Sequence, residues 1–86
     1  MPNENIEIGA LIFQKLQEKQ RSIAWLAKEV DCDGSNLRKM LKGMRYIYPG
    51  LLFRISIVLD EDFFAYYSRK LEEIKAGQID RKSGSN

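Results

Sequence analysis

The stretch Ser22–Lys42, SIAWLAKEVDCDGSNLRKMLK, decides how the rest of the chain is read. Ile23, Leu26, Ala27 and Val30 fall at i, i+3, i+4 and i+7, one apolar stripe at helical period. Ser22 stands just before that stripe, where a hydroxyl can accept from the unpaired amides of a first turn. Asp31-Cys32-Asp33-Gly34 interrupts the pattern, and Leu37, Met40 and Leu41 resume it. The spacing predicts a short helix, a tight turn and a second short helix. Ala27 is small where the two helices would cross. Val30 and Cys32 flank the turn with apolar side chains, and Leu37 is placed to pack back on the first helix.

This layout is that of a helix-turn-helix, whose second helix can enter a DNA major groove. It resembles the lambda-repressor-like, Cro/XRE-type regulators. In that family a small residue, a turn residue four later and a hydrophobic residue six beyond are the usual anchors, matched here by Ala27, Asp31 and Leu37. The family turn residue is usually Gly; Asp31 departs from it, and Asp tolerates a left-handed backbone better than most residues. The resemblance covers roughly Ile6–Leu71 and is nearest to the small repressor-like domains of bacteria, their phages and mobile elements. It implies an all-α fold, a five-helix lambda-repressor-like helix-turn-helix bundle.

The second helix of the motif carries the functional reading. With Leu37 at zero and about 100° per residue, Leu41 lies near 40° and Met40 near 300°, a coherent buried face. Ser35, Lys39 and Lys42 project at about 160°, 200° and 140°, on the opposite side, with Arg38 and Asn36 flanking them. Asp33 is placed as the N-cap, where a carboxylate accepts an amide and complements the helix dipole. Gly34 leaves the first turn without bulk, so that a phosphate or base edge can come close. Gly43 is expected to stop the helix. In the loop Met44–Tyr48, Arg45 and Tyr46 are candidate phosphate contacts. Tyr48 fits two roles equally, a phosphate donor or a ring covering the edge of the core. The candidate DNA-binding set is Ser22, Gly34, Ser35, Asn36, Arg38, Lys39, Lys42, Arg45 and Tyr46.

Charge supports the same stretch. The 86 residues carry a net +2, which says little, but residues 21–46 hold +3, residues 1–20 hold −1 and residues 47–86 balance. Asn36–Tyr48 contains four basic residues and no acidic one, a modest footprint for a polyanion. The chain has no His and a single Cys, so a disulfide within the chain is excluded and the commonest metal ligand and general base is missing. Enzymatic chemistry, a metal, a cofactor and a small-molecule ligand are therefore not expected. With neither a long apolar run nor a signal-peptide pattern, a soluble, cytoplasmic protein without membrane attachment is expected.

Around the motif, Met1–Asn5 is polar and expected to be loose. From Ile6 onward, Ile8, Leu11, Ile12 and Leu16 mark an amphipathic first helix whose role is packing. Trp25 reads as a partly buried ring at the edge of the core. Pro49 opens a fourth helix, with Leu52, Ile55 and Leu59 turned inward. Asp60-Glu61-Asp62 reads as the acidic first turn of a fifth helix. There Phe63, Tyr67, Leu71 and Ile74 fit a single stripe, while Phe64 and Tyr66 fall outside it. That excess of aromatics fits a partner surface or the completion of a small core. Gly77 is expected to end the helix, giving a domain over residues 1–76 and a flexible polar C-terminal tail over 77–86.

The expectation is a sequence-selective duplex DNA-binding transcription regulator, with Gly34–Lys42 as recognition helix. The alternative is a protein-interaction module of the same fold within a regulatory or mobile-element complex. A single short recognition helix spans few base pairs. Two copies are thus expected on DNA, their recognition helices about 34 Å apart, with Phe64 and Tyr66 as candidate dimer contacts.

Overall fold

The computed structural model describes residues 7–85, with side chains placed for residues 7–77. Five helices follow one another: α1 (Ile8–Glu18), α2 (Ile23–Glu29), α3 (Gly34–Leu41), α4 (Pro49–Leu59) and α5 (Phe64–Ser85). Among the described residues there is no strand. The expectation for Met1–Asn5 and for Ile6 lies outside the described residues.

The core is a single cluster to which α1 gives Ile8, Ile12 and Leu16, α2 gives Leu26 and Ala27, and α3 gives Leu37, Met40 and Leu41. Val30 in the turn, Leu51, Leu52, Ile55 and Leu59 of α4, and Phe63 complete it. In α1, α3 and α4 the buried residues recur three or four apart because that spacing keeps them on one side of a 3.6-residue turn. α2 and α3 pack most closely on each other, α3 also packs on α1, and α4 packs on α2.

One close approach depends on glycine. A Cβ at Gly9 would meet the carbonyl oxygen of Leu41 and lie 2.8 Å from its carbonyl carbon. α1 therefore lies directly on the end of α3, and any side chain at this position forces the two apart.

The first four helices stop in the same way. Within two residues of each end one residue takes a left-handed backbone: Gln20 (φ 57°), Asp31 (φ 55°), Gly43 (φ 82°) and Asp60 (φ 52°). In each case the next amide reaches back to a carbonyl five residues earlier: Arg21 to Leu16 at 2.9 Å, Cys32 to Ala27 at 2.8 Å, Met44 to Lys39 at 2.9 Å and Glu61 to Ser56 at 3.0 Å. These are Schellman stops, which satisfy carbonyls that a helix end leaves free. Only Gly43 adopts the conformation without strain; the other three give up about 1–2 kcal/mol each for it, less for the two aspartates. Asp31, the residue that departs from glycine in the motif, takes the left-handed geometry the turn needs.

α5 differs from the expectation in both its start and its end. Asp60 closes α4, Glu61 turns to other partners, and only Asp62 caps α5, its Oδ1 accepting from the amides of Phe64 (3.0 Å) and Ala65 (3.2 Å). Phe63 thus sits in the turn before the helix, fully buried, with its amide donating to Ser56 Oγ at 3.4 Å. Counting a helical stripe from Phe63 therefore mis-phases the aromatics. Phe64 and Tyr66 are the ones packed on the core, whereas Tyr67 and Leu71 are 42% and 51% exposed. At the far end α5 runs through Gly77 to Ser85. Gly77 lacks the positive φ of a C-cap, and a lone glycine weakens a helix by about 1 kcal/mol without ending it. The molecule measures 53 × 24 × 21 Å with a radius of gyration of 15.8 Å. A compact chain of this length has about 12 Å, and α5, about 33 Å long, accounts for the excess.

Candidate nucleic-acid interface

The candidate interface is built on the α2–turn–α3 unit. Ser22 caps α2, its Oγ accepting from the Trp25 amide at 3.0 Å. Asp33 caps α3, its Oδ2 accepting from the Asn36 amide at 2.9 Å. Both caps fix where their helices begin, and so fix which side of α3 turns out. Leu37 is fully buried between the helices, with Met40 and Leu41 beside it. Ser35, Arg38, Lys39 and Lys42 are exposed, and Asn36 is half-buried at the edge.

The charge on this face is free. Among the described residues the only ion pairs belong to Lys15, with Glu18 at 3.3 Å and Glu61 at 3.5 Å. Arg38, Lys39, Lys42 and Arg45 have no carboxylate partner there. The stop at Gly43 turns the chain off the end of α3 into an open loop. Arg45 is exposed on it, and Tyr46, 97% exposed, is the least covered large apolar side chain of the described residues. Tyr48 is tied differently: its hydroxyl accepts from Arg54 at 2.9 Å, which holds the end of the loop against α4.

Two members of the expected set serve the fold first. Ser22 Oγ is occupied as a cap, leaving only its hydroxyl proton to donate. Gly34 is partly covered, and a Cβ there would meet only the Ala27 Cβ at 3.9 Å, an ordinary contact. Gly34 therefore lies near the crossing of α2 and α3 as well as at the start of the outward face. Trp25 is partly buried against the core, as its sequence position suggests, with the Arg21 guanidinium 4.8 Å above the ring.

Phe64 and Tyr66, expected as dimer contacts, are instead engaged within the chain. Phe64 packs on the core, and Tyr66 stacks near Phe63 with ring centroids 6.0 Å apart. The Tyr66 hydroxyl donates to Glu61 Oε2 at 2.7 Å. That hydrogen bond, with Lys15 nearby, holds the Glu61 carboxyl below its usual range, and the same bond pushes the Tyr66 hydroxyl up. Lys15 is raised, first by its hydrogen bond to Glu18. The cluster ties the start of α5 to α1.

Sequence reasoning passed over a second exposed surface. Phe53 and Ile57 of α4 are 59% and 63% exposed. The signal was present, since Pro49–Leu59 is apolar nearly all round and a helix of that kind normally has cover on every side. A groove of about 660 Å³ also opens between the start of α1 and the loop after α3, with Ile8, Met40 and Ile47 in its lining beside Lys42, Arg45 and Tyr46.

Among the described residues no group of His, Cys, Asp and Glu could hold a metal ion. None of their helices is long and apolar enough to cross a membrane. No protein-family model, curated protein or solved structure matches the chain.

Proposed function

We propose that this chain is a sequence-selective duplex DNA-binding protein of the lambda-repressor-like, Cro/XRE-type kind, a cytoplasmic transcription regulator that acts in pairs on its site. α3 enters the major groove with Ser35, Asn36, Arg38 and Lys39 toward base edges. Lys42, Arg45 and Tyr46 hold flanking phosphates, and the free hydroxyl proton of Ser22 adds a further phosphate contact. The observation that carries this reading is the outward face of α3. It presents exposed, unpaired cations on a helix whose position is fixed by two side-chain caps and a buried Leu37.

The charge sets a measurable limit. Four cations per copy give a slope of log K against log salt no steeper than about −3.6 per copy, or about two orders of magnitude in affinity for a fourfold rise in salt. Titrating the protein into random-sequence duplex at low salt, then raising the salt, is the test. A slope between about −1.8, for Lys42 and Arg45 alone, and that limit, reduced by about one in Lys42→Ala, supports the reading. Absence of binding at low salt removes it.

A second reading has its own support: the exposed Phe53 and Ile57, and the groove beside the loop with its mixed apolar and charged lining, suit a protein-interaction module of the same fold. Its signature is loss of a partner with intact indifference to DNA.

A further inference from the structure

Among the described helices α4 leaves its large apolar side chains most open, Phe53 and Ile57 being 59% and 63% exposed against 42% and 51% for Tyr67 and Leu71 of α5. With Ile55 at zero and about 100° per residue, the buried Leu51, Leu52 and Leu59 lie within about 60° of it. Phe53 and Ile57 lie near 160° and 200°, directly opposite, with Gly50 near 220° on the same side. The result is a short ridge of two large side chains, beside which the Tyr48 ring lies over Gly50, 3.5 Å from where a Cβ would stand. Arg54 is drawn to one flank by Tyr48.

The two ends of this helix complement each other. Its start has no side-chain cap, no acidic residue in the first turn, and a proline that lacks an N–H. The positive end of the helix dipole is therefore uncompensated there. At the other end Asp60 is exposed and unpaired among the described residues.

We propose that the outer face of α4 is the two-fold contact between two copies of this chain. A second α4 laid antiparallel about Ile55 brings Phe53 against Ile57 of the partner subunit, twice. It also sets each Asp60 beside the other helix's uncapped start. The surface is thus complementary to itself under a two-fold rotation, as an isologous interface must be. A helix of one charge sign would match only one of the two ends. Pairing is part of the proposed function and this contact gives it a location, but the test needs no DNA and fails separately from DNA binding. Two side chains per copy fall well short of the about 1,200–2,000 Å² of a stable complex, so the dimer depends on concentration.

Sedimentation equilibrium of the free protein over a concentration series tests it, with Phe53→Glu and Ile57→Lys measured separately and mixed. Both positions face solvent, so the fold is retained, which helical circular dichroism checks. Wild type is expected to rise toward dimer mass, and each single variant to associate about tenfold or more weakly. The mixture should recover dimer, because the new carboxylate faces the new ammonium while Phe53 and Ile57 still meet at the second contact. A wild type that stays monomeric, single variants that associate as wild type does, or a mixture that behaves as the average of its components each overturns the proposal.

Discussion

The outer faces of α3 and α4 are both open to solvent, and they differ in chemistry. α3 shows Ser35, Arg38, Lys39 and Lys42; α4 shows Phe53 and Ile57. A basic face is at home in water and gains further only beside a polyanion. An apolar face gains from being covered by whatever excludes water. Both helices meet the core with the same kind of stripe, and what separates them lies wholly on the side turned away from it. Exposure alone thus assigns neither surface; the residue types on it do.

The largest effect comes from removing what both faces stand on. Leu37→Ala should cost about 2–5 kcal/mol, because the side chain is fully buried where α2 and α3 meet and the site can collapse only in part. Thermal or urea unfolding should show the loss, and with it the loss of any binding that depends on α3. A midpoint within error of wild type contradicts the packing described.

Substitutions confined to one face separate them. Arg38→Ala and Lys39→Ala should leave the melting temperature nearly unchanged while weakening DNA binding. The loss is about 1–3 kcal/mol at one base position if the side chain reads a base edge. If it holds a phosphate, all sequences weaken alike and the salt slope falls by about one. Phe53→Glu, on the other face, should leave that slope per copy untouched. Mobility-shift titrations of the three variants at several salt concentrations decide whether the two surfaces act separately.

The turn between α2 and α3 offers a change that touches neither face. Asp31→Gly relieves a left-handed strain of about 1 kcal/mol, the low end that an aspartate carries, but frees the unfolded chain by about 0.4–1, so a gain of at most about 0.5 kcal/mol is expected. DNA affinity should stay level while the unfolding midpoint rises. Unfolding measured beside binding checks both at once.

The smallest effect concerns the tie between α1 and α5. The folded Glu61 carboxyl lies below its ordinary value, chiefly through the Tyr66 hydroxyl. Its contribution is present above the ordinary glutamate range and is lost as the pH falls through the lowered value. Tyr66 is raised, so its contribution is present below the ordinary tyrosine range and is lost as the pH rises through the raised value. Glu61→Gln should flatten the stability profile at both limbs. Melting temperatures across the pH range, wild type beside variant, show it.

The α2–turn–α3 segment is legible in the sequence because its signals are local. The periodicity of Ile23–Val30 and Leu37–Leu41, the caps Ser22 and Asp33, and the stop at Gly43 each lie within a few residues of what they determine. The phase of α3 follows from Leu37 alone, and its outward residues are the ones expected. α5 was read with the wrong phase because its start is set by tertiary contacts: Phe63 belongs to a turn fixed by Ser56 and the core. Without that turn, Tyr67 and Leu71 look inward and Phe64 and Tyr66 look free. Gly9 had no local signal beyond a glycine inside a helical stripe, and the helix end that it contacts lies more than thirty residues away.

Selection of bound sequences from a random pool of duplex DNA tests the central claim, that the outer face of α3 reads DNA sequence, most directly. The account predicts a single enriched motif with two-fold symmetry and half-sites about one helical turn apart. It also predicts that the motif relaxes at defined positions in Arg38→Ala or Lys39→Ala. A pool that emerges unenriched, or a motif unchanged in both variants, contradicts it.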